Sequence, residues 1–133
     1  MNITIRKFKE TDAIKAGNVV KRVQRTLFKK YYPQHLIDAF CRRNDPKNFI
    51  KRSKERQYFV AEDKNKILGV IAIEKNQLRT FYVDPKYHGK GIGRKLFERF
   101  KKEAIKKGYK KVKVGSSLYA EPIYKSLGFK KVK

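Results

Sequence analysis

The run from Leu78 to Val114 constrains this chain more than any other stretch, because strand, glycine loop, helix and strand signals follow one another without a break. Leu78 to Val83 reads as a strand and stops at Asp84-Pro85. His88-Gly89-Lys90-Gly91-Ile92-Gly93 then leads into a helix whose inner face is Leu96, Phe97, Phe100 and Ala104 and whose stop is Gly108. Val112 and Val114 alternate with lysines in the next strand. A crossover of that length joins parallel neighbours with right-handed connectivity, so the fold class is α/β with a mixed sheet.

A helix N-terminus presents unpaired N–H groups and roughly half a positive charge, which favours phosphate wherever the preceding loop brings its backbone close. Glycines at 89, 91 and 93 carry no Cβ to block such an approach, and Lys90, Arg94 and Lys95 add charge at the same place. A glycine-rich turn also serves simply to reverse the chain. Spacing excludes two named phosphate loops. A dinucleotide fingerprint would need a third glycine at Arg94 or Leu96, and the NTPase loop needs Gly-Lys-Ser/Thr where Lys90 is followed by Gly91.

The rest of the chain completes the sheet and its cover. Ile3 to Phe8 alternates as a first strand, and Thr11-Asp12 suits the cap of a helix carrying Ala13, Ala16, Val20, Val23 and Leu27. Pro33 fits the start of a second helix with Leu36, Ile37 and Phe40. Tyr58 to Glu62 and Ile67 to Ile73 form an antiparallel hairpin across Asp63-Lys64-Asn65-Lys66. The Lys75-Asn76 turn leads to the strand at Leu78. A short helix bearing Ala120, Ile123, Tyr124 and Leu127 is closed by Gly128 before a last strand from Phe129 to Val132. With no repeat or linker, residues 1–133 read as a single domain. The lone Cys41 reads as core packing in a reducing compartment. No apolar run approaches the roughly 18 to 20 residues of a membrane span, and the N-terminus lacks a signal-peptide stretch, so a soluble, cytoplasmic protein is expected.

A formal charge of +24 from 36 basic and 12 acidic residues attracts polyanions and predicts non-specific affinity for nucleic acid. The basic residues are spread along the whole chain and lysine outnumbers arginine, whereas base readout leans on arginine forks, so a nucleic-acid function is the weaker reading. A lysine-rich proteome accounts for the same composition.

The run Val83-Asp84-Pro85-Lys86-Tyr87-His88-Gly89-Lys90-Gly91-Ile92-Gly93-Arg94-Lys95-Leu96 resembles the acetyl-CoA signature of the GNAT acetyltransferases. The run from Ser116 to Phe129, ending Tyr124-Lys125-Ser126-Leu127-Gly128-Phe129, resembles that family's second signature. The hairpin and the earlier helices fall in the family's order, so the likeness spans nearly the whole chain. It implies a mixed, mostly antiparallel central sheet flanked by helices, with a parallel strand-helix-strand unit for the cosubstrate. It implies acetyl-CoA as cosubstrate, no metal, and direct transfer to a primary amine. The strand at Phe81, Tyr82 and Val83 would pair with the pantetheine arm, and the loop His88, Gly89, Lys90, Gly91, Ile92, Gly93 and Arg94 would wrap the pyrophosphate. A backbone N–H on the strand would steady the oxyanion, Ser117 would contact the cosubstrate, and Tyr124, itself also at the cosubstrate, would donate a proton to the departing thiolate. Packing is the competing role for Tyr124.

This chain departs from the family pattern at three places. His88 replaces an Arg or Gln, Ser117 replaces an Asn, and the strand position where some members place a glutamate base falls at about Gln77, which accepts no proton. Glu74 and Glu121 are the remaining candidate bases, through water, if they are not simply solvent-facing charges. Deprotonating a lysine at pH 7 costs roughly 4.6 kcal/mol and an N-terminal amine only about 1 kcal/mol, so a missing base favours an α-amine or another low-pKa amine, with a protein or peptide amine favoured, and the charge favours an acceptor in acidic surroundings or one attached to RNA or a ribosomal particle. The competing classes are a non-catalytic nucleic-acid-binding module and an acetyl-CoA sensor on the same fold. Tyr31, Tyr32 and Phe49 are divided between lining an acceptor pocket and packing the core, with the core favoured.

Overall fold

The computed structural model describes residues 1–131. In chain order the elements are β1 (Thr4–Lys7), α1 (Ala13–Leu27), α2 (Gln34–Arg42), α3 (Pro46–Ser53), β2 (Gln57–Asp63), β3 (Lys66–Glu74), β4 (Gln77–Val83), α4 (Ile92–Lys106), β5 (Lys113–Val114) and α5 (Glu121–Ser126). The five strands form one sheet in sequence order, antiparallel from β1 to β4 and parallel between β4 and β5. The parallel pairing is the one the strand-loop-helix-strand run requires. Asp63 pairs with Lys66 across Lys64 and Asn65, both at positive φ, which is the two-residue turn whose twist matches the flanking strands.

Helices cover both faces, which explains why Ile67 to Ile73 is buried without alternation. On one face α1 lays Ala16, Val19 and Val20 on Val60, Val70 and Ala72, and Phe49 of α3 closes the edge against Tyr58. On the other face α4 sets Leu96, Phe97 and Phe100 against Phe59, Ile71 and Ile73. Each such side chain contributes about 1.5–3 kcal/mol when fully buried. Phe49 therefore belongs to the core. Cys41 packs with Val23, Phe28 and Ile37, and burial pushes its thiol up, in keeping with a packing role.

Four details differ from the sequence reading. Asp12 does not cap α1; its carboxylate reaches back to the Lys9 N–H at 2.8 Å and pairs with Arg6 at 2.9 Å. Helix α3 has no counterpart among the expected elements, although Asp45-Pro46 is a start signal, because Phe49 is its only buried residue and no period shows. The strand expected around Val112 and Val114 covers only Lys113 and Val114, with Val112 before it. Residues 129–131 form no strand, and the end of the expected last strand, Val132, lies outside the described residues. Among the described residues no helix is long and apolar enough to cross a membrane.

Candidate active site

The sheet opens where β4 outruns its parallel neighbour. β5 pairs with β4 only at Gln77–Lys113 and Leu78–Val114. Beyond that, β4 keeps β3 on one side, through Ile71–Phe81, Val70–Tyr82 and Gly69–Val83, and has no strand on the other among the described residues. Backbone groups of this half-open strand point away from β3 and can take an extended ligand as a sheet edge takes a strand.

The loop after β4 is fixed at both ends. Asp84, nearly buried, accepts from the Lys86 N–H at 3.1 Å and from Arg22 of α1 at 2.7 Å, which sets the 3-10 turn Pro85–Tyr87. His88 Nε2 lies 2.8 Å from the Val83 carbonyl oxygen, so that nitrogen carries the proton and donates, tying the loop to the end of the open edge. Gly89 and Gly91 have φ +81° and +80°, and a Cβ at either would meet nothing within 4 Å. The backbone conformation, and not crowding within the protein, demands glycine there. Helix α4 starts with Gly91 as its cap, with neither a side-chain cap nor an acidic residue in its first turn. Its leading N–H groups are open to an anion, with Lys90, Arg94 and Lys95 exposed around them.

Phe81, Tyr82 and Val83 line a cavity with His88 and Gly89, and Gly91, Ile92 and Gly93 continue its floor. Lys90 on the loop and Arg94 in the first turn of α4 stand outside it and are exposed. The far wall comes from Val23 of α1, from Tyr87, and from Tyr119 and Ile123 around the start of α5. None of these four is marked as a site residue by sequence alone. Tyr119 stands inside the second signature, so its position is visible there; Val23 reads as one more apolar residue of α1.

Tyr124 stands behind Phe81, ring centroids 6.3 Å apart, and edge-on to Phe129 at 5.8 Å. Its side chain is buried in the core beside β4 and does not line the cavity. Burial pushes its phenol well above the usual tyrosine value, with a further push from Tyr82 nearby. Burial also drives Tyr82 up to about 12, against a hydrogen bond with Gln24. Both phenols are neutral donors at any working pH.

The remaining candidates sit elsewhere. Glu74, at the far end of β3, is held by Arg56 at 3.2 Å and Arg79 at 3.5 Å, and Gln77 accepts from Arg79 at 2.9 Å. Glu121 is exposed and pairs with Lys131 at 3.7 Å. Neither carboxylate lines the cavity. The Ser117 hydroxyl accepts from the Ala120 N–H at 3.1 Å and so shapes the turn into α5. Tyr32 is half-buried, and its hydroxyl accepts from the Leu118 N–H at 3.0 Å. Among the described residues no group of three or more His, Cys, Asp or Glu side chains is placed to hold a metal.

The family described as Acetyltransferase (GNAT) domain matches residues 19–133. A GCN5-related N-acetyltransferase from Rhodopseudomonas palustris superposes with a TM-score of 0.88 at 19% identity, over 96% of this chain and 81% of that one. The PaiA N-acetyltransferase of Thermoplasma acidophilum, solved with coenzyme A, gives 0.86 at 21% identity, over 98% and 91%. The N-acetylaspartate synthetase of Xenopus tropicalis is 29% identical over 98 residues, 67% of this chain. The chain spans about a third, 36%, of that protein's length.

Proposed function

The chain belongs to the GNAT acetyltransferase family, and on that premise we propose that it is an N-acetyltransferase using acetyl-CoA, with the α-amine of a peptide or protein as the favoured acceptor. The observation that carries the reading is the half-open edge of β4 leading straight into an uncapped helix N-terminus. Acetyl-CoA supplies a thioester, an acyl donor that an amine can attack directly. The backbone of Phe81, Tyr82 and Val83 holds the amide-bearing arm, and the N–H groups at the start of α4, with Lys90, Arg94 and Lys95 nearby, hold the diphosphate. A β4 N–H aimed at the developing oxyanion is worth about 3 kcal/mol. Tyr124 donates a hydrogen bond to the departing sulfur. Since its phenol is a weaker acid than usual, it shares the proton as charge develops and does not release it beforehand.

With no carboxylate among the described residues that line the cavity, the amine has to arrive neutral. That favours an α-amine over a lysine by the margin between their solution pKa values. The Xenopus relative, named for making N-acetylaspartate, points by that name to an amino-acid α-amine as well. Thermal denaturation tests the cosubstrate, with ATP and polyphosphate at matched charge as controls. A ligand at 100 times its Kd adds about 2.7 kcal/mol, a shift of several degrees. A shift specific to acetyl-CoA, followed by thiol release with peptide amines, is the expected result. Equal shifts from all polyanions would sink the cosubstrate assignment.

A further inference from the structure

The wall of the cavity opposite β4 carries no charge. Val23, Tyr87, Tyr119 and Ile123 form it, and among the described residues no Lys, Arg, Asp or Glu side chain lines the cavity at all. The rim continues in the same character. Tyr31, Leu118 and Ile123 are 38%, 55% and 39% exposed on a molecule whose surface otherwise has to accommodate a charge of +24. They belong to one place. The Tyr31 ring stands 6.4 Å from Tyr119, and the Tyr32 hydroxyl accepts the Leu118 N–H at 3.0 Å, which pins the turn after α1 to the segment before α5. A rim held by a cross-element hydrogen bond is formed before the acceptor arrives.

We infer that the acceptor is a peptide α-amine whose first side chain is apolar and packs against Tyr31, Tyr119 and Ile123, and that free acidic amino acids are excluded. The inference rests on the N-acetyltransferase reading above and narrows it. A free amino acid carries a carboxylate beside its amine, and this wall sets no Lys or Arg against that charge, so neutral phenol hydroxyls alone would have to replace its hydration, which outweighs the apolar packing that would accompany it. A peptide replaces the carboxylate with a neutral amide, and its first side chain then covers the rim. Lys29 and Lys30, exposed immediately before Tyr31, favour acidic residues further along the peptide. The aspartate of the Xenopus relative is accordingly not the acceptor here.

The test measures kcat/KM on the unaltered chain with acetyl-CoA and matched peptides that begin with Leu or with Asp and share an acidic continuation, alongside free aspartate. The protein's field favours the aspartyl peptide, so a leucyl preference has to come from contact. About tenfold or more in favour of Leu is expected, with no turnover of free aspartate. Tyr31→Ala should bring the ratio down severalfold. Equal rates, an aspartyl preference or turnover of free aspartate would overturn the inference and leave the N-acetyltransferase reading intact. If acetyl-CoA binds and no peptide is acetylated, the peptide-acceptor reading fails and this inference falls with it.

Discussion

Tyr124 is buried with its ring on Phe81, and the proposed transfer also asks its hydroxyl to serve the departing sulfur, the two roles that the sequence set against each other. Tyr124→Phe preserves the packing, so turnover should drop about a hundredfold or more while acetyl-CoA affinity by calorimetry stays put. An equal loss in both would assign Tyr124 to positioning alone. Because burial raises this phenol, activity should climb with pH through the acceptor amine and show no tyrosine decline near 10. Position in a motif was legible here; the pKa was not, because desolvation depends on neighbours brought together by folding. The ion pairs of Glu74 were equally hidden, since Arg56 and Arg79 reach it from other strands or loops. Asp12 supplies a second residue-level test. Burial pushes its carboxyl up, but the Arg6 guanidinium and the Lys9 amide outweigh that and hold it below the usual range. A depressed folded pKa contributes stability that is full above about pH 4, the unfolded value, and is lost as pH falls through the folded one. Asp12→Asn should therefore cost about 2 kcal/mol at pH 7 in urea melts, with the gap to the parent closing in acid.

Elements were legible where their signals are local. The primed turn at Lys64-Asn65, the period of α1 and the glycine start of α4 each show in a short window. What failed were elements made by tertiary contact: α3, with a single buried residue, and the end of β5, whose early departure from β4 opens the candidate site. Gly17 belongs to that second kind. In the sequence it is a mild helix weakener, yet a Cβ there would stand 2.4 Å from the Asn44 carbonyl oxygen. Asn44 cannot easily yield, since its side chain donates to the Phe40 carbonyl at 3.0 Å and accepts from Arg52 at 2.7 Å. Gly17→Ala gains about 1 kcal/mol of helix propensity and loses roughly 1–3 kcal/mol or more to overpacking of a locked turn. A net fall of several degrees in Tm is expected, with acetyl-CoA affinity unchanged because Gly17 does not line the cavity. A rise in Tm would show that α1 can slide over the turn between α2 and α3.

At the scale of the whole molecule the charge decides, because 12 acids cannot neutralise 36 bases and most surface cations repel one another. Ion pairs such as Arg6–Asp12 and Arg22–Asp84 are local and partly buried, so salt screens them less than it screens the surface. Adding NaCl should therefore raise Tm, whereas a fall would mean that the ion pairs outweigh the repulsion. Binding to an RNA oligonucleotide should weaken by orders of magnitude between about 50 and 200 mM salt, as phosphate contacts do. Neither result separates a functional field from a compositional one, but kinetics does. If the field guides acceptors, kcat/KM for an acidic peptide should fall with salt through KM while kcat holds, and an uncharged peptide of the same first residue should be indifferent. If both peptides respond alike, the lysines serve no acceptor. An RNA affinity that persisted at physiological salt would then move the balance towards a nucleic-acid partner.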